Sequence, residues 1–328
     1  MVRLYVGDVK RFAADYERIV GTSEIVERLK KLKRMLRSKP LYQNYVDRIL
    51  FWIDKGLISA EPSLLDTIVK DFASITIDTS LKFKKKKFYE HILRAMGYNK
   101  ARSLYRPYVP QMGIKTCLYC NAQYAITFYS KSNKEYAQFE VDHWMAKDKF
   151  PFLSISFFNF VPSCSSCNKH KGDAPLEFNM YSDVPRIIAG DEYDPFVFVV
   201  PDYNLSLFLN TNNSDVIKLE FKSRNGDSKM DNDYKRFAIN EMYELFKDEA
   251  ALSIKRFLFY SDAFRKQMKS SYDSLFIDSQ AYEEFIYGIS FRTGEALKRP
   301  LAKMTRDIRA QLEHSQVYWN WMKSKGLV

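Results

Sequence analysis

The four cysteines of the 328-residue chain form two CxxC pairs, Cys117 with Cys120 in CLYC and Cys164 with Cys167 in CSSC. A two-residue spacing lets two thiolates reach one tetrahedral zinc ion, so the two pairs supply a complete set of four ligands. Structural disulfides are disfavoured in a reducing cytosol, and a thioredoxin-type redox motif would leave the second pair unexplained. We therefore predict a structural Zn²⁺ site, with redox chemistry and plain burial of the thiols as the alternatives.

Polar residues near the second cysteine pair could perform hydrolysis. The imidazole of His143 is suited to activating water, and the side-chain oxygens of Asp142 and Asn168 are hard ligands that suit Mg²⁺ or Mn²⁺ better than zinc. If a helix starts at the second pair, Lys171 follows Asn168 by one turn and could contact a phosphate. His170 would lie about 200° around the helix axis from Asn168.

Each of these residues also has a purely structural explanation. Asp142 could simply be polar at the end of a strand, Asn159 a turn residue and Asn168 a helix cap. We favour the catalytic interpretation because the residues occur together and in order.

The combined pattern resembles the HNH endonucleases of the ββα-metal fold, in their zinc-stapled branch. The shared elements are a CxxC pair, a strand ending in Asp-His, an Asn five residues before a second CxxC, and the form CNxxKG, which begins at the last cysteine of that second pair. The resemblance covers only the middle of the chain. It implies that His143 is the general base, that Asp142 and Asn168 hold a catalytic Mg²⁺ or Mn²⁺, and that Asn159 orients the loop and the base. Because the third family position is often His, His170 is an alternative metal ligand.

One departure from the family concerns the loop after Asp-His. The family usually has an aliphatic residue and then proline soon after that dipeptide, whereas this chain has Trp144, Met145 and Ala146, with Pro151 much later. We therefore expect the shape of the loop and the depth of the substrate groove to differ.

The net charge of +11 is concentrated in the first third of the chain. Acidic and basic residues balance in residues 109–328, so the whole excess lies in residues 1–108, densest in Arg28–Lys39 and in Lys82–Lys87. A solvated helix face would explain either run alone. Segregation of the whole excess favours a polyanion partner, with nucleic acid ahead of an anionic membrane surface. We predict that Lys84, Lys85, Lys86 and Lys87 contact substrate phosphates.

The remaining pattern predicts an α+β fold that is mostly helical. Apolar residues at helical spacing predict helices over 25–36, with Thr22 or Ser23 as N-cap, and over 41–56, 61–72 and 83–96. A β-hairpin is predicted from 122–130 and 136–144, a helix near the second CxxC, and a short sheet from 196–200 and 216–221, with a loop at 225–227. Helices are predicted again after Asp231, including 237–246 and a helix starting near Pro300.

These elements suggest three parts: a basic helical domain (1–108), a zinc-stapled HNH domain (109–190), and a short sheet followed by a helical C-terminal domain (191–328). The first residues carry charges every few positions, and no long uncharged apolar run occurs, so we expect a cytoplasmic protein with no membrane partner.

The leading functional interpretation is a metal-dependent nuclease that cuts DNA by a one-metal mechanism and leaves a 5′-phosphate and a 3′-hydroxyl, as the resemblance implies. The residues do not distinguish DNA from RNA. One alternative is a catalytically silent zinc-stapled module that binds nucleic acid or a protein. Another is a nuclease subunit that a partner ATPase activates. The layout is similar to that of bacterial antiphage HNH effectors of the Septu type, which work beside an ATPase.

Overall fold

The computed structural model describes residues 1–131, 135–185, 194–260, 262–272, 275–276, 278–292 and 294–327. These residues form two compact units. The N-terminal unit consists of Arg3–Leu118 and Ala125–Tyr193. The C-terminal unit consists of Met1–Val2, Tyr119–Tyr124 and Asp194–Val328. The predicted division into three domains stays a prediction, and its boundary between 190 and 191 lies outside the described residues.

The N-terminal unit is built mainly from amphipathic helices. They are α1 (Val6–Val20), α2 (Ser23–Met35), α3 (Pro40–Asp54), α4 (Pro62–Ala73), α5 (Phe88–Met96), α6 (Tyr98–Tyr105), α7 (Tyr108–Gln111) and α8 (Ser165–Lys171). In α2 the apolar stripe of Ile25, Leu29 and Leu32 is buried, as its spacing predicted. α3 and α4 begin at Pro40 and Pro62, because proline at the first helical position lacks only an N–H that would have had no helical acceptor. The predicted helices over 25–36, 41–56 and 61–72 are confirmed.

The helix predicted from Phe83 starts five residues later, which is a correction. Strands β2 (Lys82–Phe83) and β3 (Lys86–Lys87) form a small antiparallel hairpin before α5. The Glu90 carboxylate accepts a hydrogen bond from the Lys87 N–H at 2.7 Å. The Phe88 N–H donates to the Leu81 carbonyl at 2.8 Å. These contacts satisfy amides at the start of α5, so the helix begins at Phe88.

The predicted hairpin in the middle of the chain is divided into two pairings. β4 (Thr127–Tyr129) pairs with β5 (Glu135–Ala137), and the turn residues 132–134 lie outside the described residues. The segment with Asp142 and His143 forms a separate strand, β6 (Glu140–His143), which pairs antiparallel with β7 (Phe160–Ser163). The expectation of one strand over 136–144 was therefore wrong. The ladder with β4 ends at Ala137, and the buried β6 needs a second partner.

The remaining strands of the N-terminal unit are β1 (Leu4–Tyr5) and β8 (Tyr181–Ser182), which pair in parallel. The Tyr105 hydroxyl lies 3.1 Å from the Tyr181 hydroxyl, and the Tyr181 hydroxyl also donates to the Phe160 carbonyl at 3.1 Å. Tyr181 therefore links α6 to the start of β7 through buried hydrogen bonds.

The C-terminal unit contains the predicted short sheet. β9 (Phe196–Val199) pairs antiparallel with β10 (Glu220–Ser223), and a turn follows at Arg224–Asn225. Its helices are α9 (Asp202–Thr211), α10 (Ser228–Arg236), α11 (Ile239–Tyr243), α12 (Lys247–Phe259), α13 (Asp262–Tyr272), α14 (Ser279–Tyr287), α15 (Ala302–His314) and α16 (Gln316–Ser324). The Phe198 N–H donates to the buried Asp307 carboxylate at 2.9 Å, which joins β9 to α15.

Helices dominate the described residues, and each sheet among them has two strands. The predicted α+β class with a mostly helical content is confirmed. None of the helices in the described part of the chain is long and apolar enough to cross a membrane.

Candidate active site

The chain from Glu140 to Lys171 forms two antiparallel strands followed by a helix. β6 and β7 are joined by a long connection that contains short 3₁₀ turns at Pro151–Leu153 and Phe157–Asn159. α8 follows β7 directly, as the sequence predicted. Its N-cap is Cys164, whose sulfur accepts a hydrogen bond from the Cys167 N–H at 3.5 Å. The second cysteine pair therefore fixes the start of the helix that carries Asn168 and Lys171.

The four cysteines come together as the spacing predicted. All four are buried and outside disulfides, and their sulfur atoms lie within 4.8 Å of one another. Zinc binds thiolates at about 2.3 Å in a tetrahedron, which separates sulfurs by roughly 3.8 Å. The donor set and its spacing thus fit a structural zinc ion. The Leu118 N–H donates to the Pro162 carbonyl at 3.3 Å, so the residue after Cys117 is bonded to β7.

Asp142 and His143 end β6, and Lys171 of α8 lies beside Asp142. Asp142 is 7% exposed and His143 3% exposed. The Lys171 ammonium, on a fully buried side chain, lies 3.6 Å from the Asp142 carboxylate. The positive charge of Lys171 also lowers the pKa of His143. β6 ends at His143 and the chain bends at Trp144, which is the strand end that a shared site for these two neighbouring side chains requires.

His143 is held as a neutral ring in one tautomer. Its Nε2–H donates to the Ser154 carbonyl at 3.2 Å. Since a carbonyl oxygen only accepts hydrogen bonds, the proton lies on Nε2 and Nδ1 keeps a lone pair. Burial, together with the nearby cations Lys147, Lys171 and Arg102, lowers the pKa of His143 to about 3. The bond to Ser154 opposes this shift. A neutral imidazole with one open nitrogen is the form that can accept a proton.

Asn159 holds the connection between β6 and β7. Its Oδ1 accepts from the Met145 N–H at 2.8 Å, and its Nδ2 donates to the carbonyls of Met145 at 3.2 Å and Leu153 at 2.9 Å. The Asn159 side chain is fully buried. These bonds fix the chain on both sides of the segment that leads to Ser154, the hydrogen-bond partner of His143.

Trp144 occupies the place where the sequence departs from the family pattern. Its indole N–H donates to the Leu176 carbonyl at 2.9 Å, and its backbone N–H donates to the Asn159 carbonyl at 2.8 Å. Trp144 is buried, so this bulky residue anchors the start of the connection after β6.

α8 directs its side chains in different directions. Lys171 is buried against Asp142, and Asn168, three residues earlier, is half-buried on the same helical face. His170 is exposed. The roles predicted for Asn168 and Lys171 in metal and phosphate binding stay predictions, as does the alternative role of His170.

Sequence reasoning missed two residues of α6 that join this site. The Tyr98 ring centroid lies 5.5 Å from that of His143, and the Arg102 guanidinium lies 5.8 Å from the Tyr98 ring centroid. Burial raises the pKa of Tyr98, and the negative charge of Asp142 raises it further. The Tyr98 and Arg102 spacing of four residues predicts contact between the two on a helix, but nothing local connects either residue to His143.

Lys84–Lys87 are not at His143. They form the tip and second strand of the β2–β3 hairpin, and all four side chains are exposed. Their predicted contact with phosphates stays a prediction.

One curated protein gives an outside comparison. Septu protein PtuB of Bacillus thuringiensis is 31% identical to this chain over 71 residues, which are 20% of this chain and 24% of that protein. The chain therefore matches about a quarter of that relative's length. No protein-family model and no solved structure matches the chain. The chain is thus distantly similar to a Septu protein, and it has a four-cysteine cluster that fits a metal ion.

Proposed function

We propose that this protein is a metal-dependent HNH endonuclease that hydrolyses DNA phosphodiester bonds and acts in bacterial defence. The observation that carries the proposal is the strand–strand–helix arrangement in which β6 ends in Asp142 and His143 and α8 places Lys171 beside Asp142. The similarity to a Septu protein supports the role in defence.

In the proposed reaction, His143 Nδ1 takes a proton from a water molecule as the water oxygen attacks phosphorus. The bond between phosphorus and the 3′-oxygen breaks, and the leaving oxygen takes a proton from solvent, which leaves a 5′-phosphate and a 3′-hydroxyl. Asp142 and Asn168 would hold Mg²⁺ or Mn²⁺, whose charge stabilises the phosphate and the leaving oxygen. Lys171 and Arg102 add positive charge near His143. Asn159 keeps the Ser154 carbonyl in place, and that carbonyl fixes the tautomer of His143.

The experiment is incubation of supercoiled plasmid with the purified protein and Mg²⁺ or Mn²⁺, with EDTA and His143→Ala as controls. A parallel reaction with RNA tests the substrate class. We expect nicked or linear plasmid that depends on both the metal and His143. Cleavage at the wild-type rate by His143→Ala would contradict the proposed base, and cleavage of RNA alone would move the proposal to that substrate.

A second candidate is a nuclease subunit that becomes active with a partner ATPase. It is favoured by the burial of His143, whose ring packs against Tyr98 and Phe160 and leaves little surface open to a phosphodiester in the chain alone. The test is to compare plasmid cleavage by the chain alone with cleavage after co-purification with a candidate ATPase. Activity that appears only in the complex supports this version, and equal activity with and without the ATPase contradicts it.

A further inference from the structure

A pocket of about 460 Å³ lies in the N-terminal unit among α2, the β2–β3 hairpin and α5. Leu32, Met35 and Ala95 form its apolar lining. Its other lining residues are all basic: Arg28, Lys31, Lys84, Lys86, His91 and Arg94. The volume falls within the range typical of small-molecule sites, about 300–1,000 Å³.

Two hydrogen bonds hold the walls of this basic pocket together. The His91 Nε2–H donates to the Phe83 carbonyl at 2.7 Å, which ties the hairpin to α5. The Arg28 Nε–H donates to the Ala95 carbonyl at 2.8 Å, which ties α2 to the end of α5. The concave shape therefore comes from specific contacts between three elements.

The hairpin turn decides which lysines line the basic pocket. Lys84 and Lys85 have φ values of 46° and 67°, a left-handed conformation that non-glycine residues adopt at some cost. With this turn, Lys84 and Lys86 line the pocket, whereas Lys85 and Lys87 are outside its lining.

The charge in the basic pocket is poorly balanced from within the protein. Arg28 forms an ion pair with Glu24. Among the described residues, no carboxylate lies within 4.0 Å of the side-chain nitrogens of Lys31, Lys84, Lys86 or Arg94, and no acidic residue lines the pocket. Cations held in one concavity repel each other, so a bound anion would relieve the repulsion and gain charge-assisted hydrogen bonds.

A neighbouring cleft lies between the basic pocket and Tyr98. This cleft, of about 560 Å³, shares Lys86 and Arg94 with the basic pocket and is also lined by Tyr98 and Lys100. Tyr98 packs against His143. The two concavities are therefore adjacent, and the second, which Glu90 also lines, ends at the residue that packs against His143.

We propose that the basic pocket binds a phosphate of the nucleic-acid strand whose scissile bond lies at His143. This inference rests on the proposed nuclease function and specifies where the strand is held outside the reacting phosphate. A free nucleotide has the same phosphate chemistry, so the test must separate the two sources.

The test measures binding of a fluorescent oligonucleotide by anisotropy at several salt concentrations. His143→Ala serves as the background, without added Mg²⁺ or Mn²⁺, so that the strand is not cut. A double variant, Lys84→Asn with Lys86→Gln, is compared with a second double variant, Lys85→Asn with Lys87→Gln. Both remove two charges from the same hairpin, and asparagine tolerates the left-handed turn. A second matched pair is Lys31→Gln and Lys30→Gln on α2, because Lys30 does not line the pocket.

We expect the Lys84 and Lys86 variant to flatten the log–log salt slope by about 0.7–0.9, the value for one phosphate contact. Its affinity should be roughly tenfold weaker than that of the Lys85 and Lys87 variant, a difference of about 1.4 kcal/mol. Lys31→Gln should likewise bind more weakly than Lys30→Gln.

Equal losses of affinity in both hairpin variants would mean that net charge alone attracts the strand, which overturns the proposed role of the pocket. No loss in any variant also overturns the pocket, whereas plasmid cleavage by the wild type would leave the nuclease proposal standing. The last measurement tests binding of adenosine monophosphate and its competition with the oligonucleotide. If it binds with the same dependence on Lys84 and Lys86 but does not compete with the oligonucleotide, the ligand is a free nucleotide and the assignment to the strand is wrong.

Discussion

At the level of single residues, the proposed chemistry depends on the surroundings of His143. Its Nε2–H is engaged by Ser154, and burial together with nearby cations favours the neutral ring. The ring is packed between Tyr98 and Phe160, with centroid distances of 5.5 and 5.2 Å. These contacts fix the direction of Nδ1, which is the property that a positioned base requires.

His143→Ala should abolish cleavage while leaving DNA binding nearly unchanged. Loss of a positioned general base typically lowers the rate by about 10² to 10⁴, which corresponds to roughly 3–5 kcal/mol. Plasmid cleavage and anisotropy on the same preparation measure the two effects. His170→Ala is the matched control, because His170 is exposed on α8. An inactive His170→Ala beside a fully active His143→Ala would show that the wrong histidine was assigned.

Asn159→Ala should lower both stability and activity. The change leaves the Met145 N–H and two carbonyls without their bonds to a fully buried side chain. An unsatisfied buried polar group costs about 1–3 kcal/mol, so denaturant unfolding should show a loss of that size or larger. Asn225→Ala, in an exposed turn, is the control. Unchanged stability of Asn159→Ala would mean that the connection after β6 holds its shape without this amide.

At the level of elements, α8 links the four-cysteine cluster to the candidate active site. The helix starts at Cys164, and within seven residues it delivers Lys171 to Asp142. A helix this short has little stability of its own, so its position depends on tertiary contacts and on its N-terminal anchor. The four-cysteine cluster supplies that anchor.

Cys117→Ser or Cys167→Ser should therefore give insoluble or protease-sensitive protein. Apparent zinc-binding energies in small structural sites are about 10 kcal/mol or more, and this energy contributes to folding. Limited proteolysis and elemental analysis measure the effect, with about one zinc per chain expected in the wild type. Ser165→Ala, inside the same CSSC motif, should behave like the wild type. Freshly purified wild type without zinc would contradict the assignment.

At the level of the whole molecule, the charge distribution should govern binding. The excess positive charge of the chain lies in residues 1–108, which contribute α2, the hairpin, α5 and α6 to the N-terminal unit. Phosphate contacts release counterions, so affinity should fall steeply with salt and depend little on base sequence.

Replacing all four lysines Lys84–Lys87, with asparagine at the two turn positions and glutamine at the others, should flatten the salt slope by at least about 0.7–0.9, the value for one phosphate contact. Binding to unrelated sequences should weaken alike, and cleavage should recover at high DNA concentration because the residues at His143 are intact. Anisotropy and plasmid cleavage measure both effects. An unchanged slope would make the hairpin an ordinary solvated surface and would direct attention to Arg28–Lys39.

The sequence alone determined the features that depend on local spacing. Two CxxC pairs indicated the four-cysteine cluster, because ligands to one ion must be close, and helical periodicity located α2, α3 and α4, because burial of one helical face requires it. Only the tertiary structure showed that β6 pairs with β7 and that the Lys82–Lys87 run forms a hairpin. It also brought Tyr98 and Arg102 to His143 from a distant helix. Strand pairing and contacts between distant helices depend on long-range packing, which no window of the sequence contains.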